Sequence, residues 1–505
     1  MAGRSSPPIR RRPRPRRRGS RTRFRLFILL AACCCVAPAA RAQTPPAAST
    51  PIAPATTWFA RNWTRVEIWR FFEPPPGGGD HEYAYPVNRL QAGLRHDASR
   101  FALNAAIQYV QFANLPANAV GPGPLGLGAV YFGHAGRSDS RQLYLRYLHV
   151  QLKELLPGVT LQAGRMPYAS GGEDTSGHPK IEAVKGQRVG ARLVGEFDWS
   201  IYQRGYDGIR VDAARSAWRA SGVAFSPTQG GFEDAAGLMM PDVRVVGGSF
   251  TLRPPALGGA AELQTFAFRY DDDRDVGARP DNSGRSVPTV EVGINTLGAA
   301  VVAASASSGR QWDGLVWLAG QTGSWYEQAH RALSVAVEGG HQWGRAPWQP
   351  WVRAGMLWAS GDDNPADDRH GTFFQMLPTV RRYAQTALYS QMNSTDVFVQ
   401  GLARPVPAFG LRADLRRVGL ATARDHWYFG SGATQSRGTQ FGFATRPSNG
   451  GRHLATIVEL SADYTMSRHW SINGFLGMAR GGDVVRRSFA GRTMTFGYVE
   501  SVLQF

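Results

Sequence analysis

Beyond residue 35 the chain has no cysteine; Cys33, Cys34 and Cys35 stand together near the start. If that region is removed, neither a disulfide framework nor thiol chemistry is left to the protein. Lysine is nearly absent too, with Lys153, Lys180 and Lys185 alone, so arginine carries the basic charge. No apolar run reaches the ~20 residues of a membrane-spanning helix; LFILLAACCCVA (26–37) is far too short. Long helical periodicity is scarce, which argues against a helical bundle.

What stands at the front is a basic run from Arg4 to Arg25, the short apolar stretch, and ARA at Ala40 to Ala42, a small-x-small cleavage pattern. Residues 1–42 therefore read as a signal peptide, with LAAC (30–33) as an alternative lipoprotein cleavage box. These 42 residues hold 12 Arg and no acid, so the formal charge of +19 falls to +7 on the remainder. The basic balance thus gives no ground for binding nucleic acid. Residues 43–57, QTPPAASTPIAPATT, read as a disordered periplasmic tail, and 58–505 as one domain.

That domain is built from runs of about ten residues alternating apolar with polar or small, broken by Gly, Pro, Asp and Asn. In FALNAAIQYVQF, Phe101, Leu103, Ala105, Ile107 and Tyr109 share one face, and Asn104 and Gln108 the other. QRVGARLVG sets Val189, Ala191 and Leu193 against Arg188, Gly190 and Arg192; HRALSVAVEGG sets Leu333, Val335 and Val337 against Ser334, Ala336 and Glu338. WVRAGMLW sets Val352, Ala354, Met356 and Trp358 against Trp351, Arg353, Gly355 and Leu357. A soluble sandwich would turn the polar faces to water, whereas a membrane barrel turns the apolar faces to lipid and lines its lumen with the polar ones.

Two features favour the barrel. Trp58, Trp63, Trp199, Trp312, Trp325, Trp343, Trp348, Trp358 and Trp470 fall near strand ends, as an interfacial girdle requires. The chain also closes on TMTFGYVESVLQF, with Val499, Leu503 and Phe505 on one parity. The fold class expected is all-β: a transmembrane antiparallel barrel of about 18 strands in the bacterial outer membrane, with long loops at 114–140, 226–242 and 271–288.

GLVWLAGQTGSW (314–325), ALSVAVEGGHQWGRAPWQPWVRAGMLWASGDDNPADDRHGTFFQMLPT (332–379) and QRGYDGIRVD (203–212) look like the alginate export family of outer-membrane barrels. The motif SGD, then an acid, then HGTFFQMLPT is the most specific part. The resemblance implies a monomeric barrel of eighteen strands with an Arg-rich lumen that exports an anionic exopolysaccharide. Passage of another anionic sugar or small anionic solute is the second reading.

A polyuronate carries one carboxylate per sugar, and guanidinium can hold it with two parallel hydrogen bonds. Parity turns Glu338 and Arg353 inward, opposite one another if the turn WGRAPW centres between Arg345 and Ala346. Arg188 and Arg192 lie on a lumen face, and Arg204, Asp207 and Arg210 fall in the family-like segment. Arg165 matches the family's Gly-Arg position, yet its parity groups it with Val159 and Leu161, so it faces the lumen only at a strand end or past a bulge. The other reading of all these residues is ordinary barrel-interior ion pairing.

The stretch SGDDNPADDRHGTF holds Asp362, Asp363, Asp367 and Asp368, oxygen ligands of a kind calcium takes, but without the distant bidentate Glu of an EF-hand. No other cofactor is expected, and Asp362 is the acid set at the rim of the pore. RHDASR (95–100) places His96, Asp97 and Ser99 on alternating faces, and YSQMNSTD offers Asn393 and Ser394; neither run makes a triad, so no enzyme is expected. A plugged adhesin is the remaining class. Partners expected are outer-membrane lipid and lipopolysaccharide, the anionic polysaccharide or solute, the barrel-assembly machinery through Phe505, and a periplasmic secretion partner.

Overall fold

The computed structural model of the chain describes residues 54–119, 127–254, 259–305, 309–386 and 388–505. The signal peptide and most of the tail lie outside these residues; Ala55 to Thr57, assigned to the tail, already belong to the first strand.

Eighteen strands form the wall. In chain order they are β1 Ala55–Arg70, β2 Glu82–Asp97, β3 Phe101–Phe112, β4 Ser140–Leu156, β5 Val159–Met166, β6 Tyr206–Ala214, β7 Trp218–Pro227, β8 Val243–Leu252 and β9 Ala261–Asp272. They continue as β10 Val292–Ala304, β11 Arg310–Trp325, β12 Gln328–Trp343, β13 Trp351–Ala359, β14 Ser394–Val406, β15 Phe409–Gly419, β16 His453–Thr465, β17 Trp470–Gly481 and β18 Thr493–Gln504. Each pairs antiparallel with the next, and β18 returns to β1 from Arg61↔Gln504 to Arg70↔Thr495. Closure leaves no sheet edge, so every wall strand's backbone is satisfied within the protein and can cross hydrocarbon.

Side-chain alternation follows the pleat. On β1, Val66 and Ile68 point out and are exposed, while Trp63, Arg65, Glu67 and Trp69 point in and are buried. β12 and β13 divide the same way, as their sequences lead one to expect. Eight turns of two to eight residues lie at the end where β1 begins and β18 finishes, and nine connections, up to the 39 residues of 167–205, lie at the other. Short turns face the periplasm and long loops the exterior.

The girdle reading needs correction. Trp58, Trp312, Trp343, Trp348 and Trp470 are exposed, and all five sit at the periplasmic end; Trp63 and Trp325 are buried inside, and Trp199 packs against the interior cluster. A second correction is larger. QRVGARLVG is not a wall strand: it belongs to loop 167–205, which carries helix α2 (Pro179–Val184) and a π turn over Lys185–Val189. Ile181, Val184, Val189, Leu193 and Val194 of this loop are buried against inward-facing Phe266, Phe268 and Trp317 of the wall. Helix α1 (Leu127–Ala135), in loop 113–139, packs with Phe112, Tyr202 and Phe232.

Candidate functional site: the filled lumen

Loop 167–205 enters the barrel and meets loop 360–393 and the wall at one cluster of charge. Glu338, on β12, accepts from Arg188 Nε at 2.8 Å and Arg353 Nη1 at 3.1 Å, with Arg192 Nη2 3.6 Å away. Arg353 Nε also donates to Asp313 of β11 at 2.9 Å, and Lys180 Nζ stands 3.9 Å from the same carboxylate. Four cations thus share two carboxylates. All six side chains are nearly or fully buried.

Register explains how Arg353 reaches both acids. Glu338 pairs with Gly355, and Gly340 with Arg353, so the turn is displaced from the centre expected and the ion pair is diagonal. Both glycines leave the room it needs. A Cβ at Gly355 would come within 2.7 Å of Glu338, and one at Gly340 within 2.5 Å of Asp313 and 2.8 Å of Arg353.

The remaining residues named from sequence fall in different places. Arg192 donates to the Arg188 carbonyl at 3.0 and 2.5 Å, which folds the π turn onto itself, and burial lowers its guanidinium to about 10. Arg204 holds the carbonyls of Ser431 and Ala433 at 3.1 and 3.0 Å, fastening loop 167–205 to loop 420–452. Arg210 faces inward, bound to Asp212 at 2.8 Å and to the Glu173 carbonyl. Arg165 does not reach the lumen. It pairs in register with exposed Leu148 and with Asp207, whose parity is that of exposed Ile209, so the Arg165–Asp207 ion pair at 2.7 Å lies on the outer wall near the external rim. Gly164, at φ +114° and against the Leu148 carbonyl, adjusts the backbone there without turning the side chain inward.

Sequence reading missed Asp313, Lys180 and two further groups. Arg416 contacts Asp396 at 2.5 Å, Glu459 at 3.4 Å and Asp414 at 3.6 Å. Arg65 is held by Glu67 and Glu500 at 3.0 and 2.7 Å. Arg381, from loop 360–393, lies over Trp199, Phe496 and Tyr498 at 4.0 to 5.4 Å.

The acidic stretch resolves into two parts. Asp363 and Asp368 are exposed, while Asp362 is buried beside Asp425 of loop 420–452, which accepts from the Asp362 amide at 2.9 Å, Thr372 at 2.6 Å and Tyr428 at 2.7 Å. The four acids considered for calcium do not converge, and among the described residues no three acidic or histidine side chains gather as a metal requires. His370 stacks on Trp325 at 4.4 Å and meets His330 of β12 at 2.9 Å, pinning the same loop to the wall.

Below the charge cluster the lumen opens into a periplasmic vestibule of about 650 Å³. Its charged lining is Lys180, Arg404 and Arg412 against Asp463, with Gln187, Gln311, Gln342, Gln349 and Gln385 between. Burial lowers the Lys180 ammonium to about 8, against the pull of Asp313.

The profile of the alginate export family matches residues 133–499. The chain belongs to the alginate export family. Curated protein sequences return no match. Among solved structures, Pseudomonas aeruginosa OccK2 (OpdF) in complex with glucuronate is similar at a TM-score of 0.54 and 9% identity, over 89% of this chain and 98% of that one. P. aeruginosa OccK9 (OpdG) gives 0.53 and 11% over 90% and 98%, and OpdK with vanillate 0.51 and 8% over 89% and 98%. At such identities the likeness is one of fold. Family and fold together make this alginate export member an outer-membrane channel, not an enzyme.

In this family member the Asp362–Asp425 contact should respond to pH. Burial pushes each carboxyl up to about 6, mutual repulsion adding for Asp362. A pKa raised on folding means that the contact's contribution is fully present below the ordinary carboxylate value of about 4 and is lost as pH rises through about 6. Loops 360–393 and 420–452 should therefore be held together more firmly at pH 5 than at pH 7.5. Single-channel recordings should show fewer openings at pH 5, and Asp425→Asn should flatten that dependence; an unchanged pH profile in the variant would refute the link.

Proposed function

We propose that the channel is anion-selective and exports an anionic exopolysaccharide, alginate-like in carrying a carboxylate on each sugar. The vestibule carries this reading: the periplasmic opening of the lumen is lined by Lys180, Arg404, Arg412 and Asp463 among neutral amides, with Arg412 held by Asp414 at 2.6 Å and Arg404 in no ion pair among the described residues. Fixed positive charge offsets the hydration a carboxylate loses on entering a narrow passage. The amides supply donors and acceptors for sugar hydroxyls. Above the vestibule, four cations on two carboxylates, Lys180 among them, leave a local excess of positive charge.

A filled lumen also favours a second reading, passage of small anionic sugars or solutes, because a polymer needs loop 167–205 to yield. The glucuronate in the OccK2 complex is a ligand of that size and charge.

Reversal potentials in a salt gradient across a planar bilayer should show anion preference, and polyuronate added on the periplasmic side should reduce the current. Cation preference without such block would overturn the proposal. Block by monomeric glucuronate alone would favour the second reading. Replacing Arg404 and Arg412 by Ser should lower the anion-to-cation permeability ratio about threefold at 0.1 M salt and much less at 1 M, where the Debye length is ~3 Å.

A further inference from the structure

The eight periplasmic turns, residues 98–100, 157–158, 215–217, 253–260, 305–309, 344–350, 407–408 and 466–469, contain five arginines and no Asp or Glu. Loops at the external end contrast sharply, with Glu73, Asp80, Asp139, Asp234, Asp273 and Glu327 among their acids. Arg100, Arg215, Arg345 and Arg468 of these turns, and Arg310 at the foot of β11, are exposed. Arg253 differs, turning inward to Glu262 and Asp174.

Each exposed arginine has an aromatic ring close by in sequence. Arg100 precedes Phe101, Arg310 stands two residues from Trp312, Arg345 lies between Trp343 and Trp348, and Arg468 is two residues from Trp470. Arg215 lies over the Trp218 ring at 5.9 Å. On their strands Phe101, Trp218, Trp312, Trp343 and Trp470 share the outward parity of the lipid-facing side chains. Rings so placed sit at headgroup depth. The guanidinium groups are then near the depth of lipid phosphate; among the described residues none of the five is in an ion pair, while Arg215 donates to the Pro157 and Ala214 carbonyls and Arg468 to His469.

We propose that this collar of Arg100, Arg215, Arg310, Arg345 and Arg468 binds phospholipids of net negative charge in the inner leaflet of the outer membrane. Guanidinium holds a phosphate through paired hydrogen bonds, which any phospholipid offers. The scarcity of free acid supplies the selectivity: at the strand feet, exposed Asp97 is paired with Lys153, and Glu154 accepts from the Gly158 amide. An ethanolamine headgroup brings an ammonium that finds no carboxylate on the turns and meets arginine instead, whereas a glycerol headgroup brings hydroxyls and no cation. The rings fix the depth at which phosphate and arginine meet, so the collar anchors the barrel from below independently of what the pore conducts.

Electron spin resonance on the full barrel, folded into phosphatidylcholine bilayers, reads this directly. Spin-labelled phosphatidylglycerol should be enriched in the motionally restricted shell about threefold over spin-labelled phosphatidylcholine and phosphatidylethanolamine at 0.1 M salt. Changing all five arginines to Gln should bring the ratio to about one, with the folded barrel verified by its heat-dependent gel mobility. Should that variant fail to fold, the same loss is expected of the unaltered protein in 1 M salt, where exposed charges more than ~3 Å apart are screened. Equal enrichment of the three labels at 0.1 M salt, or a preference that survives both the substitutions and the salt, would overturn the proposal.

Discussion

Excising residues 172–190 and bridging Gly171 to Ala191 with a short Gly-Ser linker is expected to raise single-channel conductance by about an order of magnitude, because the lumen of an eighteen-strand barrel is wide once its contents are removed. The graft is geometrically mild: the Ala191 amide already donates to the Ser170 carbonyl at 2.8 Å, so the two ends of the excised segment are neighbours. All eighteen wall strands pair without it. What it removes is α2, the π turn, and with them Lys180, Lys185 and Arg188.

The excised segment carries no net charge, so its loss is chiefly one of bulk. Three acids, Glu173, Asp174 and Glu182, leave with the three cations, while Glu262 would keep Arg253, and Glu338 and Asp313 would keep Arg353. Reversal potentials should therefore change little as conductance rises. Removing Ile181, Val184 and Val189 from their buried positions should also lower the temperature at which the folded band is lost on gels, each apolar side chain being worth ~1.5–3 kcal/mol. Unchanged conductance would show that loops 360–393 and 420–452 close the lumen by themselves.

Strand parity made the wall legible and left its contents obscure. Glu338 and Arg353 were readable as inward-facing partners because period-two alternation on β12 and β13 is unbroken. Their diagonal offset was not, since it depends on how the 344–350 turn is spent. Arg188 and Arg192 were misplaced for a related reason: short alternation in QRVGARLVG is also what a compact loop shows when its apolar side chains are buried among others. The overlooked signal lay on the wall itself. Phe266, Phe268 and Tyr270 share the inward parity of β9, as Val223 and Phe225 do on β7, and a water-filled lumen has no use for them.

Position near a strand end likewise misled for tryptophan, because Trp63 lies under Arg65 and Arg89 inside the barrel, and Trp199 and Trp325 pack on loop residues, not lipid. For Arg165, parity was the sounder guide than motif position: the side chain stays with the outward set, and Asp207 goes with it. Asp313, the second carboxylate of the charge cluster, carries no local sign of its role, which arises from the register of β11 against β12 and from Lys180 descending from above.

Replacing Glu338 by Gln should destabilise the folded barrel by ~3–5 kcal/mol, the usual cost of leaving buried charge without its partner. Three guanidinium groups lean on this one carboxylate, and among the described residues only Arg353 is ion-paired to another acid, Asp313. Arg188 would retain the Tyr383 carbonyl at 3.0 Å, a neutral acceptor that cannot balance its charge. The least costly response is for Arg188 to draw α2 and the π turn toward water, which loosens the packing that fills the lumen while adding net positive charge to it. Conductance and anion preference should therefore rise together, whereas excising the charge-neutral segment 172–190 should raise conductance alone. A second change, Arg188→Gln, should recover at least ~1 kcal/mol of the lost stability and return selectivity toward that of the unaltered channel, since contacting residues couple by ~0.5–3 kcal/mol. If the double variant is as destabilised as the sum of the two single ones, Glu338 is not acting through Arg188, and the charge cluster is a set of independent ion pairs rather than the element that holds the loop in place.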